Sequence, residues 1–436
     1  MVDAAKLLGA EADWLLDPAL GACIVGSTAL AEACRRGDLV PPPTKDIDLA
    51  WALDPESGAR LLRTRGVFAK TTEQNVARGT LALKLGALRF EVTSFRNGAR
   101  SIEADLEARD MTVGALAWRL HDGAILDPMQ GLTHYAERRI VPCGDPKERI
   151  REHPVRHLRY YRRAQEWGFT LDPGVRKLAA DALLLGTIPR EALAQELRQA
   201  LLGCASPGRF LLELREAGVL GILVPELAAQ FDGRPAGPVR HHPEVSQSLH
   251  LILALEWIGS RTEALPEDDR IRAIVAVLCH DLGKNASDPL RLPAHHGHEH
   301  AGLRPLQALL ASLPGLADAA TRRLAEAVCV LHLEVRGFEK LRPGTLATLY
   351  EDWFRPKDFR IDLFSLAIGA DVGGRLGRAS DGDVVARDVL EQLIRLRARC
   401  ESVDAAALRA ECGDDVEKFK AVLHAARARE IGANNP

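Results

Sequence analysis

Lys45-Asp46-Ile47-Asp48-Leu49 is the stretch from which the rest of the chain is best read. Two carboxylates stand two residues apart between apolar neighbours. On a β-strand, side chains at i and i+2 point to the same face. A strand here projects Asp46 and Asp48 together, and paired carboxylate oxygens suit a hard cation such as Mg²⁺. Two such ions can hold a triphosphate and activate an attacking hydroxyl. Most Asp-x-Asp pairs are loop or capping carboxylates, so the pair gains meaning only from its surroundings.

Upstream, Cys23-Ile24-Val25-Gly26-Ser27-Thr28-Ala29-Leu30 reads as a strand running through a small-residue turn into a helix over 28–36. Such a turn lets backbone N–H groups approach a phosphate at a helix N-terminus; an ordinary tight turn has the same signature. Residues 3–18 read as a preceding helix, and Pro41-Pro42-Pro43 makes a stiff loop into the Asp strand. Downstream come a helix over 56–65 and strands over 79–85 and 88–95, joined by a hairpin turn at Gly86-Ala87. Glu91, central in the second strand, is either a third metal-site carboxylate or an exposed strand glutamate.

Ala108-Arg109-Asp110-Met111-Thr112-Val113-Gly114-Ala115-Leu116-Ala117 reads as a helix of small apolar residues entered by an Arg-Asp pair. Asp127-Pro128 and Gly131-Leu132 mark a turn, and Gly144-Asp145-Pro146 opens a basic helix. Glu152, Arg156, Arg159 and Arg163 share one face of that helix at i, i+4, i+7 and i+11 spacing. The face is either salt-bridged to solvent or a surface for bases and phosphates, since the guanidinium fork suits both.

Length and composition bound these readings. The chain has 436 residues, room for roughly two to four domains. Apolar residues make up 47% and charged residues 27%, an ordinary globular balance. The formal net charge of -3 carries no overall signal for nucleic acid, so such binding needs a local patch. The eight cysteines form no Cys-x-x-Cys pair and read as reduced thiols. No signal peptide and no membrane-spanning run is evident, so a cytoplasmic location without membrane contact is expected.

From 172 to 230 the pattern is helical, with a break at Ala205-Ser206-Pro207-Gly208. Asp232-Gly233-Arg234-Pro235-Ala236-Gly237-Pro238 reads as a linker, and the remainder is again helical. A second constellation lies there. Adjacent His280 and Asp281 offer nitrogen and oxygen to a divalent ion, and distant His250 and Asp371 can join them only through folding. Gly283-Lys284 and the cluster His295, His296, His298 and His300 follow, which favours a metal-dependent phosphohydrolase site over a structural His-Asp dipeptide. His332 is either a further ligand or phosphate contact, or a surface helix histidine.

In this order, the motifs resemble the class II tRNA nucleotidyltransferases and bacterial poly(A) polymerases. The likeness is carried by the Gly26 turn, Asp46-x-Asp48, Phe90-Glu91-Val92-Thr93-Ser94-Phe95-Arg96, the 108–117 run, Asp127-Pro128, Gly144-Asp145-Pro146 and Glu152-x-Pro154-x-Arg156-x-x-Arg159. The second half resembles the HD domain of the multifunctional CCA-adding proteins of bacteria, through His242-Pro243-Glu244-Val245 and His250, Leu278 to Lys284, His295-His296-Gly297-His298 and Gly369 to Arg375.

The resemblance implies an α+β fold. A nucleotidyltransferase head of small mixed β-sheet with helices (1–145) precedes an all-α neck for nucleotide and RNA (146–230), an all-α HD domain (231–376) and a helical tail (377–436). It implies that Asp46 and Asp48 bind Mg²⁺, that Gly26 and Ser27 meet the triphosphate, and that Arg109 and Asp110 form a nucleotide-binding pair. Glu152, His153, Arg156 and Arg159 fall where the family recognises the incoming base and phosphates. The expected partners are the 3′ end of tRNA, CTP and ATP, with homodimerisation open. At the HD site, Ni²⁺, Mn²⁺, Co²⁺ or Mg²⁺ is expected to serve hydrolysis of a phosphate monoester or 2′,3′-cyclic phosphate.

Three departures stand out. The family's Gly-Gly-x-Val-Arg-Asp reads Gly26-Ser27-Thr28-Ala29-Leu30-Ala31, which places Leu30 where an arginine meets the triphosphate. The segment between 95 and Arg109 is short. Glu-Asp-x-x-Arg reads Glu152-His153-Pro154-Val155-Arg156, which puts an imidazole in place of the carboxylate at the base edge. The competing readings are a divergent poly(A) polymerase-like enzyme and an RNA-binding relative with a vestigial transferase site.

Overall fold

Short apolar runs between residues 23 and 126 pair into a mixed sheet. The structure is a computed structural model and describes residues 8, 9, 12–44, 47–67, 69, 70, 80–85 and 88–433. Asp46 and the Gly86-Ala87 turn lie outside the described residues. The chain divides into two compact units, Met1–Leu178 and Ala179–Pro436.

In the first unit, β1 (Cys23–Val25), β2 (Ile47–Trp51), β3 (Ala69–Lys70), β4 (Thr80–Leu85), β5 (Leu88–Ser94), β6 (Ala117–Arg119) and β7 (Ile125–Leu126) take the order β3-β4-β5-β2-β1-β6-β7. Within this sheet β2 and β5 run parallel and the other neighbours antiparallel. β1 lies between β2 and β6, and all three of its residues are buried. That position explains its unbroken apolar sequence.

The helices of this unit used below are α1 (Gly26–Arg36), α2 (Pro55–Thr64), α3 (Ile102–Glu107), α4 (Pro146–Glu152) and α5 (Arg156–Trp167), with a further helix at Gly131–Ala136 and shorter turns besides. Three expectations are corrected. Of the helix expected over 3–18, residues 3–7, 10 and 11 lie outside the described residues and Leu8 is helical, while from Asp13 the chain forms 3-10 turns at Asp13–Leu16 and Pro18–Leu20. Asp17, extended before Pro18, caps the second turn through Ala19 N.

The 108–117 run is not a helix. Met111 is extended and bridges Pro142, Thr112–Gly114 is a 3-10 turn, and Ala117 begins β6. Met111, Val113, Ala115, Leu116 and Ala117 are all buried, so the run lacks the polar face of a surface helix. The basic helix is split at Pro154, which pushes His153 to φ -145 and ψ 95 and ends α4. Glu152 and Arg156 therefore sit on different helices, joined by an Arg156 Nη1 to Glu152 Oε2 hydrogen bond of 2.7 Å.

His157 on α5 is 2% exposed, and its Nε2 has no hydrogen-bond partner. Burial pulls its imidazole down from 6.5 to about 4. The folded protein keeps this ring neutral while the unfolded chain takes up a proton below its ordinary value. The stability is full above pH ~6.5 and is lost as pH falls toward ~4, by on the order of 3 kcal/mol. Urea unfolding at pH 7 and pH 5 checks this: His157→Leu should flatten the difference, and an equal pH dependence in the variant refutes it.

The second unit is helical. Its site is built from α6 (Gln247–Thr262), α7 (Glu267–Cys279), α8 (Ala319–Leu331) and α9 (Ile361–Gly373), with α10 (Ala379–Ser402) packed on α9. The run Gly369 to Gly374 makes this packing possible. A Cβ on Gly374 would lie 2.7 Å from the Ala254 backbone, and one on Gly369 would lie 2.7 Å from the Gly382 carbonyl. The close approach of α9 to α6 brings Asp371 to His250. The Asp232–Pro238 stretch is not an open linker: Ala236 is buried and its carbonyl accepts from Lys284 Nζ at 2.8 Å. No helix among the described residues is long and apolar enough to cross a membrane.

Candidate active sites

The first site grows from the parallel register of β2 and β5. Asp48 stands opposite Glu91, so the two carboxylates share one sheet face, as paired residues on adjacent strands do. Leu49, Phe90 and Val92 are buried. Gly26 opens α1 directly after Val25, at φ +67, and a Cβ there would lie 3.2 Å from Asp48 Oδ2. Glycine fits both the left-handed backbone and the close approach. Leu30, the departure from the family pattern, is fully buried.

Glu91 also lines a cleft of about 780 Å³ shared with Arg96, Arg109, Asp110, His153 and Arg159. The volume lies within the range of small-molecule sites. The arginines are not equivalent. Arg109 is buried and holds Asp105 Oδ2 at 3.1 Å and the Gly114 carbonyl at 3.3 Å. Arg156 is 6% exposed and donates to the carbonyls of Arg149 and Ala108 and to Glu152. It locks the 108 loop to the helices. Arg159 is the more open one, 3.0 Å from Asp110 Oδ2. Burial pushes the Asp110 carboxyl up, but Arg159 and Arg156 outweigh it and hold the carboxyl below its usual range. Burial and the Arg156 charge pull His153 below the ordinary imidazole value, so it is neutral at pH 7.

In the second unit, His250, His280, Asp281 and Asp371 come together as the sequence suggested. His280 Nε2 lies 3.1 Å and His250 Nε2 3.7 Å from Asp281 Oδ2, and His250 Nε2 lies 3.5 Å from Asp371 Oδ1. These groups are buried; His250 Nε2 and His280 Nε2 lack hydrogen-bond partners, and Asp281 is met by the Lys284 ammonium. Buried nitrogen and oxygen ligands of this kind fit a divalent ion. Burial pushes Asp281 up, but His280 and Lys284 hold it well below the usual range; Arg336, His250 and Arg375 do the same for Asp371.

Of the histidine cluster, His298 joins the site, while His295 is used by Ser287 Oγ and the Pro235 carbonyl. His296 and His300 are exposed. His332 is buried in the site and is not a surface residue. Sequence reasoning left Glu244 and Lys284 without a role. Glu244 Oε1 sits 2.7 Å from His242 Nδ1 and 3.0 Å from His250 Nδ1, and Lys284 Nζ sits 2.6 Å from Asp281 Oδ2. Their signal was proximity in sequence to His242, His250 and Asp281.

A carboxylate-edged sheet before a helical unit with a buried His/Asp cluster defines a nucleotidyltransferase joined to an HD-type domain. The family model described as the poly A polymerase head domain matches residues 34–141. The multifunctional CCA protein of Cupriavidus metallidurans is 34% identical over 358 residues, covering 79% of this chain and 82% of that one. That of Xanthomonas euvesicatoria pv. vesicatoria is 35% identical over 348 residues, covering 76% and 80%. This chain belongs to the multifunctional CCA protein family, within the class II CCA-adding and poly(A) polymerase group. The fold is similar to the Bacillus stearothermophilus CCA-adding enzyme in complex with CTP, with a TM-score of 0.65 at 20% identity over 100% of this chain and 95% of that one. The Thermotoga maritima CCA-adding enzyme complexed with tRNA gives a TM-score of 0.60 at 15% identity over 99% and 95%.

Proposed function

We propose that this chain is a tRNA nucleotidyltransferase that adds C and A residues to the tRNA 3′ end from CTP and ATP without a nucleic-acid template. Its second unit is a metal-dependent phosphohydrolase for phosphate monoesters or 2′,3′-cyclic phosphates. The observation that carries the transferase reading is Asp48 opposite Glu91 and against Gly26, at the edge of an arginine-lined cleft. In the reaction the primer 3′ oxygen bonds to the α-phosphorus and pyrophosphate leaves. Asp46 and Asp48, with Glu91 opposite Asp48, would hold Mg²⁺, which would neutralise charge on the phosphates. The N–H groups at the start of α1 face the triphosphate.

The Asp110–Arg159 pair presents acceptors and donors to the cleft, while Arg109 and Arg156 hold its walls. In the second unit His250, His280, Asp281 and Asp371 hold an imidazole-preferring ion, Ni²⁺, Co²⁺ or Mn²⁺, or Mg²⁺. Such an ion supplies a water activated for attack on phosphorus. The finer divisions at 145, 230 and 376, and a cytoplasmic location suited to eight cysteines outside any disulfide, belong to the same proposal.

His153 sets the expected nucleotide choice. A neutral imidazole offers one donor and one acceptor, where a carboxylate offers only acceptors. One mismatched polar contact costs ~1–3 kcal/mol, about ten- to a hundred-fold in selectivity. Addition to tRNA lacking CCA, with all four NTPs present and the products sequenced, should give more misincorporation or partial ends than His153→Asp gives. Complete CCA ends made equally by both proteins refute this role of His153; no addition by either refutes the transferase reading.

A further inference from the structure

Arg96, Arg109, Arg156 and Arg159 line the cleft of the first unit, and their side chains are placed for different work. Arg109 and Arg156 are buried. Arg156 Nη1 donates to the Arg149 carbonyl at 3.1 Å and to Glu152 Oε2 at 2.7 Å, and Nη2 donates to the Ala108 carbonyl at 3.1 Å. A guanidinium has donors only, and here both end nitrogens are committed to the fold. Arg156 fastens the cleft wall. Arg159 is set on Asp110 Oδ2 at 3.0 Å.

Arg96 is placed differently. It begins the 3-10 turn Arg96–Gly98 directly after β5. Its backbone N–H donates to Asp105 Oδ1 at 2.8 Å, which fixes the root of the side chain. The guanidinium reaches Asp105 Oδ2 only at 3.5 Å, and that oxygen already holds Arg109 Nη2 at 3.1 Å. Its side chain is 40% exposed, against 35% for Arg159, 9% for Arg109 and 8% for Arg156. The most open guanidinium of the cleft is therefore also the one with the weakest side-chain contact. It shares the cleft with His153. Burial, then the charges of Arg156, Arg159 and Arg96 against that of Glu152, keep that imidazole neutral.

The two side chains differ in what they can tell apart. A neutral imidazole carries one donor and one acceptor and can exchange them between its nitrogens, so His153 suits either sense of hydrogen bond. A guanidinium cannot change sense. Cytosine N3 and adenine N1 are acceptors, whereas uracil N3 and guanine N1 carry hydrogen. A guanidinium set against that ring nitrogen admits C and A, and puts a donor against a donor in U and G. A site built around such a contact rejects the base that cannot make it.

We infer that Arg96, outside the 152–159 run, reads the ring nitrogen of the incoming base and sets the choice of C and A against U and G. This rests on the transferase reading and names the residue on which its base selection depends.

The probe is 3-deaza-CTP, in which N3 of cytosine is replaced by C–H and the rest of the nucleotide is kept. Single-nucleotide addition to tRNA lacking CCA is measured on the full chain with Mg²⁺ and CTP, 3-deaza-CTP or UTP. Wild type should use CTP about ten-fold or more better in kcat/KM than either of the others. Arg96→Ala should use CTP and 3-deaza-CTP alike. Arg96→Lys, which keeps donors and gains no acceptor, should regain the preference for CTP over UTP. A contact of Arg96 with the triphosphate or the primer would instead lower all three nucleotides by one factor in Arg96→Ala, and that result overturns the assignment. Wild type that adds CTP and 3-deaza-CTP equally well also overturns it, without need of a variant that folds. In both cases addition of CTP by wild type leaves the transferase reading standing. Wild type that adds none of the three overturns that reading and the assignment with it.

Discussion

Alanine at Asp48 abolishes nucleotide addition, a loss on the order of 10³-fold or more, and leaves hydrolysis by the second unit at the wild-type rate. The expectation follows from where the carboxylate stands. Asp48 is on β2 next to Glu91 on β5, and the start of α1 closes on it so that a Cβ at Gly26, itself at φ +67, would lie 3.2 Å from Asp48 Oδ2. A group held by two strands and a helix terminus is preorganised, and its charge is the one the developing transition state needs. Asp48→Asn preserves size and removes the charge, so an equal loss in both variants assigns the effect to metal binding and not to packing. Single-nucleotide addition to tRNA, measured with saturating Mg²⁺ and CTP, checks it. Addition within ten-fold of wild type in Asp48→Ala would remove Asp48 from the chemistry.

How much of this could be read from the chain depends on how local the cause is. The strand at Cys23 is set by a short unbroken apolar run, and the Asp48 strand and the hairpin strands by neighbouring turns, and they stand where the sequence placed them. The 108–117 run misled because small apolar residues suit a helix locally, whereas burial on all sides is a tertiary fact. Pro154 was in plain view, but the weight of arginines at helical spacing hid the break it imposes.

The same holds for the sites. The convergence of His280 and Asp281 with His250 and Asp371 was legible as a candidate cluster. The engagement of Arg156 with the Ala108 carbonyl spans 48 residues, and no periodicity encodes it. Nor does sequence show that His332 turns inward while His300 does not; that choice belongs to the packing of α8 against α7.

Alanine at His280 removes a ligand and nothing else of consequence to the first unit. Metal-stimulated hydrolysis of 2′,3′-cyclic phosphate and phosphate monoester should fall by about 10²-fold or more, with addition to tRNA unchanged. Asp281→Ala should do the same and also destabilise the protein, because the two residues sit differently. Replacing His280 leaves Asp281 its Lys284 partner. Asp281 leaves behind Lys284, a residue 4% exposed whose ammonium has Asp281 Oδ2 at 2.6 Å as its carboxylate partner. A buried charge stripped of its partner costs ~3–5 kcal/mol, which for a unit of this size lowers Tm by about 10 °C. The Ala236 carbonyl at 2.8 Å softens that cost without removing it. Asp281→Ala combined with Lys284→Met should regain most of the lost Tm and none of the hydrolysis. Thermal unfolding in excess chelator, alongside both activity assays, separates the two effects. Hydrolysis near the wild-type rate in His280→Ala and Asp281→Ala alike would show that the cluster is structural, and an unchanged Tm in Asp281→Ala would show that Lys284 finds water or another carboxylate.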